Sequence, residues 1–221
     1  MRRLALAAGA FIASAVADGA DLAPLASGDS ITGFGVYTGQ RDGALTYSKI
    51  GEVTYRLSID ANGNRHYLDR NGSAYWIYDR EFVRVLFQGR ELPPEQFVAF
   101  LPPGGKVAPG LKWDVPVHQT RAVCGFAEAR FKASSEKGSD LTIDVNGKAT
   151  NVPTVRITYE APLRCGERPA FLRTMELVFS PELYEILQSN TVNYDGLERG
   201  PLQLGDQGRG WRVLAITTGG K

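Results

Sequence analysis

The side chains able to do chemistry in this 221-residue chain are few and widely spaced. Cys124 and Cys165 each precede a glycine, in Val123-Cys124-Gly125 and Arg164-Cys165-Gly166. A bond between them would close a loop of about 42 residues, and chain entropy alone values such a crosslink at roughly 4 kcal/mol. His66 and His118 lie in no recognisable motif and there is no Gly-x-Ser-x-Gly, so neither a nucleophilic triad nor a zinc site is indicated. Asp60-x-Asn62-x-Asn64 opens as a calcium loop does, yet the sixth place is not glycine, and Asn71 stands twelfth where a bidentate glutamate is needed. A hairpin turn is the better reading. Asp79 with Glu81, or Glu176 with Glu182, could be nominated for glycoside cleavage, but a chain with 24 acidic residues offers such pairs by chance. No catalytic residue, metal ligand or cofactor is assigned.

Tyr75, Trp76 and Tyr78 are close neighbours in one apolar segment. In a strand Trp76 and Tyr78 share one face, and Tyr75 and Ile77 the other. If Tyr75 and Ile77 point inward, Trp76 and Tyr78 form an exposed platform able to stack on a sugar ring or cover a partner; the other reading buries the strand on both faces. Trp76 and Tyr78 are the candidate ligand-binding residues, while Trp113 and Trp211 are expected in the core.

The start of the chain speaks to compartment. Arg2 and Arg3 precede an apolar run, Leu4 to Ala17, that ends in Ala15-Val16-Ala17 and so fits the small-x-small cleavage rule. This reads as a secretory signal helix cleaved before Asp18, with an uncleaved signal anchor as the alternative. Its 14 residues fall short of the roughly 20 a bilayer crossing requires, so no stable membrane span is expected after cleavage, and no cysteine follows to carry a lipid anchor. A periplasmic or extracellular location follows, and there two cysteines are expected to pair. With 25 basic and 24 acidic residues the chain has no general field to attract nucleic acid.

The elements that must position these residues read as strands. Residues 18 to 30 are small, acidic and Ala/Gly-rich, as in a flexible tether, and the body is expected to begin at Ile31. Val53, Tyr55, Leu57 and Ile59 alternate with polar residues, a period of two that marks a strand with one wet face. Asp60 to Asn64 and Asn71-Gly72 are turn sequences, so the chain to Gln88 reads as an antiparallel meander. Pro93 to Phe97 could form one helical turn. Leu101 to Gly110, with three prolines and three glycines, is a connection between two β-rich parts, 31–100 and 111–221, which could be subdomains. Beyond it, Val155, Ile157 and Tyr159 alternate with polar residues, as do Phe171, Met175, Leu177 and Phe179. Tyr184, Ile186, Val192 and Tyr194 share a parity, and Trp211 to Thr217 closes the chain. The fold class is all-β: an antiparallel β-sandwich, or one strongly curved sheet wrapped as an open barrel.

Gly110-Leu111-Lys112-Trp113, then Val152-Pro153-Thr154-Val155, then Phe179-Ser180-Pro181-Glu182-Leu183 follow one another in an order that resembles a loose group of exported bacterial β proteins of unknown function. Those show a Gly-x-x-Trp, a Val-Pro-Ala-Gly strand entry and a Pro-Glu-Leu-Gly turn; this chain departs at Thr154, Val155 and Tyr184. The resemblance covers Gly110 to Tyr194, and implies a β-rich extracytoplasmic module without catalytic residues. The resulting expectation is an exported accessory protein that binds an apolar ligand, a glycan or an envelope protein. A glycan hydrolase on the same scaffold and a structural subunit of a surface assembly are the alternatives.

Overall fold

The computed structural model describes residues 22–41, 44–92, 98–116, 125–126, 130–164, 170–201 and 208–219. The signal segment, the Pro93–Phe97 turn, His118 and both cysteines therefore lie outside the described residues. Among the described residues there is no helix, and sixteen strands form one sheet. The first five are β1 (Ser30–Arg41), β2 (Ala44–Ile59), β3 (Arg65–Leu68), β4 (Ala74–Tyr78) and β5 (Val83–Phe87). Short segments follow: β6 (Arg90–Glu91), β7 (Val98–Ala99), β8 (Lys112–Pro116) and β9 (Gly125–Phe126). Next come β10 (Arg130–Lys137), β11 (Leu141–Val145), β12 (Lys148–Val152) and β13 (Val155–Arg164); β14 (Phe171–Ser180), β15 (Glu185–Asp195) and β16 (Gly208–Thr217) complete the chain.

The order across the sheet is β6-β5-β4-β3-β2-β1-β16-β15-β14-β13-β10-β8, so the first and last long strands pair at its centre. Neighbours along this path are antiparallel; the β11–β12 hairpin joins β16 in parallel through Asp144 and Val145. The outermost strands β6 and β8 are not paired with each other, so the sheet does not close into a barrel. Of the two architectures the sequence allows, the single curved sheet is the one adopted.

How far it curves follows from a distance. Between β3 and β15 lie three strands, β2, β1 and β16; four inter-strand steps of about 4.8 Å would hold them about 19 Å apart in a flat sheet. Instead Arg65 of β3 bonds Glu185 of β15 at 2.9 Å. The sheet rolls over and packs one face on itself. Tyr55, Leu57, Tyr67 and Tyr78 from the first strands meet Ile157, Tyr159, Leu177 and Phe179 from the last in one buried cluster. Leu172, Val192 and Tyr194 form a small second cluster.

Bulges supply the bend, since an extra residue in one strand raises local twist and curvature. The β1–β2 ladder skips Gly51, at φ 40°, between Ile50 and Glu52. In β15 the ladder skips Leu187, which is fully buried; Leu183, Glu185 and Leu187 are buried there, while Tyr184 and Ile186, the residues marked by parity, are partly buried against the same core. At the centre of the roll, a Cβ on Gly33 would collide with the Trp211 ring. Only glycine lets that indole lie flat on β1.

Three successive hairpins carry the meander, each begun by an aspartate. Asp60 Oδ1 accepts from the backbone N–H of Asn62 and Asn64, Asp69 Oδ1 from those of Asn71 and Ser73, and Asp79 Oδ1 from those of Glu81 and Val83. The fourth residue of each turn has positive φ: Gly63 at 82°, Gly72 at 78° and Phe82 at 56°. Asx bonding of this kind fixes a turn locally. Residues 22 to 29, which by composition have little to bury, are docked on the body. Leu25 is buried and its N–H donates to Leu183 O, while the Asp29 carboxylate accepts from Ala26 N and Gly219 N, tying the two ends of the described chain together.

Candidate ligand cavity

The roll leaves a cavity of about 550 Å³ inside its concave face. One wall comes from β1 to β5 and the other from β14 to β16. Tyr55, Tyr67, Tyr75, Trp76 and Tyr78 line the first wall, Phe87 and Phe100 extend it, and Trp211 with Met175, Leu177 and Ile186 faces them. A volume between about 300 and 1,000 Å³ with a mostly apolar and aromatic lining is what small-molecule sites have.

Trp76 and Tyr78 are thus brought together, but neither as an exposed platform nor in a strand buried on both faces. Tyr78 is buried and Trp76 half-buried, both on the concave side. The Trp76 ring lies 4.8 Å from that of Tyr55, 5.6 Å from Trp211 and 6.2 Å from Tyr67, in tilted and edge-on contacts that aromatic quadrupoles favour. Tyr75 stacks on Tyr55 at 5.5 Å. Burial, then the nearby Tyr75 and Asp69, push the Tyr55 hydroxyl up to about 12. Trp113 is partly buried on the core, edge-on to Tyr159 at 6.2 Å.

At the cavity floor sits a charged group that sequence reasoning missed. Glu185, 3% exposed, accepts from Arg65 Nη2 at 2.9 Å, from the Tyr67 hydroxyl at 2.9 and 2.8 Å to its two oxygens, and from the Ile186 N–H at 3.0 Å. Burial works against the Arg65 charge, but Glu185 and Tyr67 more than offset it and hold the guanidinium above its usual pKa. Burial and then the Glu185 charge push the Tyr67 hydroxyl well above its ordinary value. One signal was available: Arg65 shares its parity with Tyr67, a cation on the apolar side of a strand. Nothing in the sequence pairs it with Glu185.

Other donors of the cavity lining have no such partner. The Trp76 Nε1 and Arg84 Nε atoms are out of solvent and bond no acceptor. A buried donor left unpaired costs about 1–3 kcal/mol. Arg84 is packed on rings, 4.7 Å from the Phe100 centroid, 4.9 Å from Phe87 and 5.6 Å from Tyr78. Cation–π contact stabilises its charge without neutralising it. Arg209, also on the lining and exposed, stacks over Tyr37 at 5.7 Å. Ile50 and Val53, 40% and 42% exposed, reach the same cavity from β2 and leave apolar surface at its mouth.

The remaining candidates lie elsewhere. Asp60, Asn62 and Asn64 form the first Asx turn, with His66 Nε2 3.2 Å from Asp60. Among the described residues no three His, Cys, Asp or Glu side chains converge as a metal site would need. Asp79 and Glu81 belong to the third turn, Glu176 faces Arg199 at 3.8 Å, and Glu182 is exposed in the β14–β15 turn; none of the four lines the cavity. Cys124 and Cys165 lie outside the described residues, though their chain neighbours Gly125 and Arg164 pair in register.

No family model matches this chain, and no curated protein does. Two solved structures are similar. One is a candidate lipoprotein from Parabacteroides distasonis ATCC 8503, at 10% identity and a TM-score of 0.38, covering 90% of this chain and 99% of that one. The other is a candidate exported protein with YmcC-like fold from Bacteroides fragilis NCTC 9343, at 14% identity and a TM-score of 0.36, covering 89% of this chain and 99% of that one.

Proposed function

We propose that this protein is an exported accessory protein that binds a small apolar or amphiphilic molecule in the hollow of its rolled sheet. The observation that carries the reading is the cavity of about 550 Å³ whose walls are predominantly aromatic and aliphatic and include Trp76 and Tyr78, the residues we assign to contact the ligand. Export rests on the Arg2-Arg3 start, the apolar run to Ala17 and the Ala15-Val16-Ala17 site. Binding is favoured over hydrolysis by the lining itself. Glycoside cleavage needs two carboxyl groups about 5 to 9.5 Å apart, whereas among the described residues the lining has one acid, Glu185, already occupied by Arg65, Tyr67 and a backbone N–H.

The test is titration of the purified chain with N-phenyl-1-naphthylamine, a neutral probe that brightens in apolar surroundings. Saturable one-to-one binding, lost on Val53→Trp at the mouth with the melting temperature unchanged, is the expected result. Absence of saturable binding, or binding indifferent to the mouth substitution and to Trp76→Ala alike, overturns the reading.

A further inference from the structure

We infer that the occupant of the cavity is an anionic amphiphile, with an oxyanion headgroup held by Arg84 and an apolar chain lying on the aromatic walls. This rests on the binding reading above and goes beyond it in fixing the chemical class. The charges of the lining decide the sign. Among the described residues, the ionised ones of the lining are Arg84, Arg209 and Glu185, and Glu185 is neutralised by Arg65 at 2.9 Å. That leaves two cations. Among the described residues, neither Arg84 nor Arg209 forms an ion pair with a carboxylate, and Arg84 Nε is shut off from solvent without an acceptor. Arg84 is half-buried, and its shielded Nε is a donor that costs about 1–3 kcal/mol for as long as no acceptor meets it. Three rings fix the plane of Arg84, and that planar fork suits a phosphate or carboxylate better than a point charge would. Trp76 presents a second N–H without an acceptor on the same lining, and β4 and β5 set Arg84 directly opposite Tyr78, two residues along from Trp76.

A free small anion would satisfy Arg84 but leave the aromatic volume unfilled. The exposed Ile50 and Val53 at the mouth suit a chain passing out of the cavity. Both halves of the ligand are therefore specified: an acceptor-rich head and an apolar tail.

The experiment is calorimetric titration of the whole chain with decyl phosphate below its micelle concentration, 1-decanol and inorganic phosphate. Decyl phosphate is expected to bind at least tenfold more tightly than decanol. Arg84→Gln should remove that preference, weakening decyl phosphate about tenfold and leaving decanol unchanged. Arg209→Gln, at an exposed position, gives a second reading should Arg84→Gln unfold, with a loss of about threefold confined to the phosphate. Trp76→Phe keeps a ring while deleting the N–H and should weaken decyl phosphate by more than it weakens decanol. Equal affinity for decyl phosphate and decanol overturns the headgroup assignment while leaving the apolar cavity standing. Phosphate alone binding as tightly as decyl phosphate overturns the amphiphile in favour of a free anion. Failure of all three to bind overturns this inference together with the binding function.

Discussion

Arg65 and Glu185 stand 120 positions apart in the chain and meet at 2.9 Å with 5% and 4% of their side-chain surface exposed. The pair clamps β3 to β15 across the hollow of the sheet, so it reports directly on the roll. Removing one partner leaves the other charge buried alone, which costs about 3–5 kcal/mol. Arg65→Met and Glu185→Leu are each expected to lower stability by that amount in urea denaturation. The double variant should recover most of the loss, because two apolar side chains replace the pair. A double variant as unstable as the sum of the singles would show that the two act independently.

The third Asx turn places Phe82, fully buried, at φ 56°, where its counterparts are Gly63 and Gly72. Its ring meets Phe179 at 5.9 Å and Tyr184 at 5.4 Å. Left-handed backbone costs a non-glycine residue roughly 1–2 kcal/mol, and the packing of the ring offsets it. Phe82→Ala keeps the strain and loses the ring, at about 3–5 kcal/mol. Phe82→Gly loses the ring and the strain together, and is expected to be about 1 kcal/mol more stable than the alanine variant. Denaturation midpoints of the two decide it; alanine the more stable would contradict the strain.

Asp60 carries the acid dependence. The Asn64 backbone N–H, with the Asn64 side chain, His66 and the Asn62 N–H, holds its carboxyl at about 2, below its ordinary 3.8, against a smaller opposing effect of desolvation. A lowered folded-state value means that the ionised form favours folding; the contribution is complete above 3.8 and is lost as pH falls through about 2. The melting temperature should therefore drop between about pH 4 and 2, and Asp60→Asn should flatten that limb of the curve. An identical acid limb in the variant would remove Asp60 from the account.

Gly125 and Arg164 pair in the ladder between β9 and β13, beside Cys124 and Cys165 in the chain. A disulfide between these cysteines predicts a mass 2 Da lower than after full reduction, and a melting temperature that falls on reduction by the equivalent of about 4 kcal/mol. An unchanged mass would show both thiols reduced.

What the sequence made legible was local. Alternation at Val155, Ile157 and Tyr159 gave a strand whose inner residues are 4%, 0% and 1% exposed, and Asp60 to Asn64 and Asn71-Gly72 gave their turns because Asx bonds and glycine act within five residues. Trp76 and Tyr78 were found as site candidates on aromatic density alone. Their surroundings were not, since whether a face looks outward or into a hollow depends on curvature, and curvature depends on bulges. Gly51 and Leu187 each shift a strand's phase by one; a glycine inside a strand pattern is a bulge signal, whereas leucine gives none. Arg65 with Glu185 stayed hidden for a related reason: only rolling the sheet brings β3 to β15.

The hollow draws one side from the early strands and the opposite side from the late ones, so an occupant touches both and an unfolded chain offers it nothing. Occupancy and folding are then linked by mass action: at a hundred times its dissociation constant a cargo would add about 2.7 kcal/mol. Were such a cargo its ligand, a cell lacking it would hold this protein in its least durable form, and the protein's abundance would track the cargo's supply.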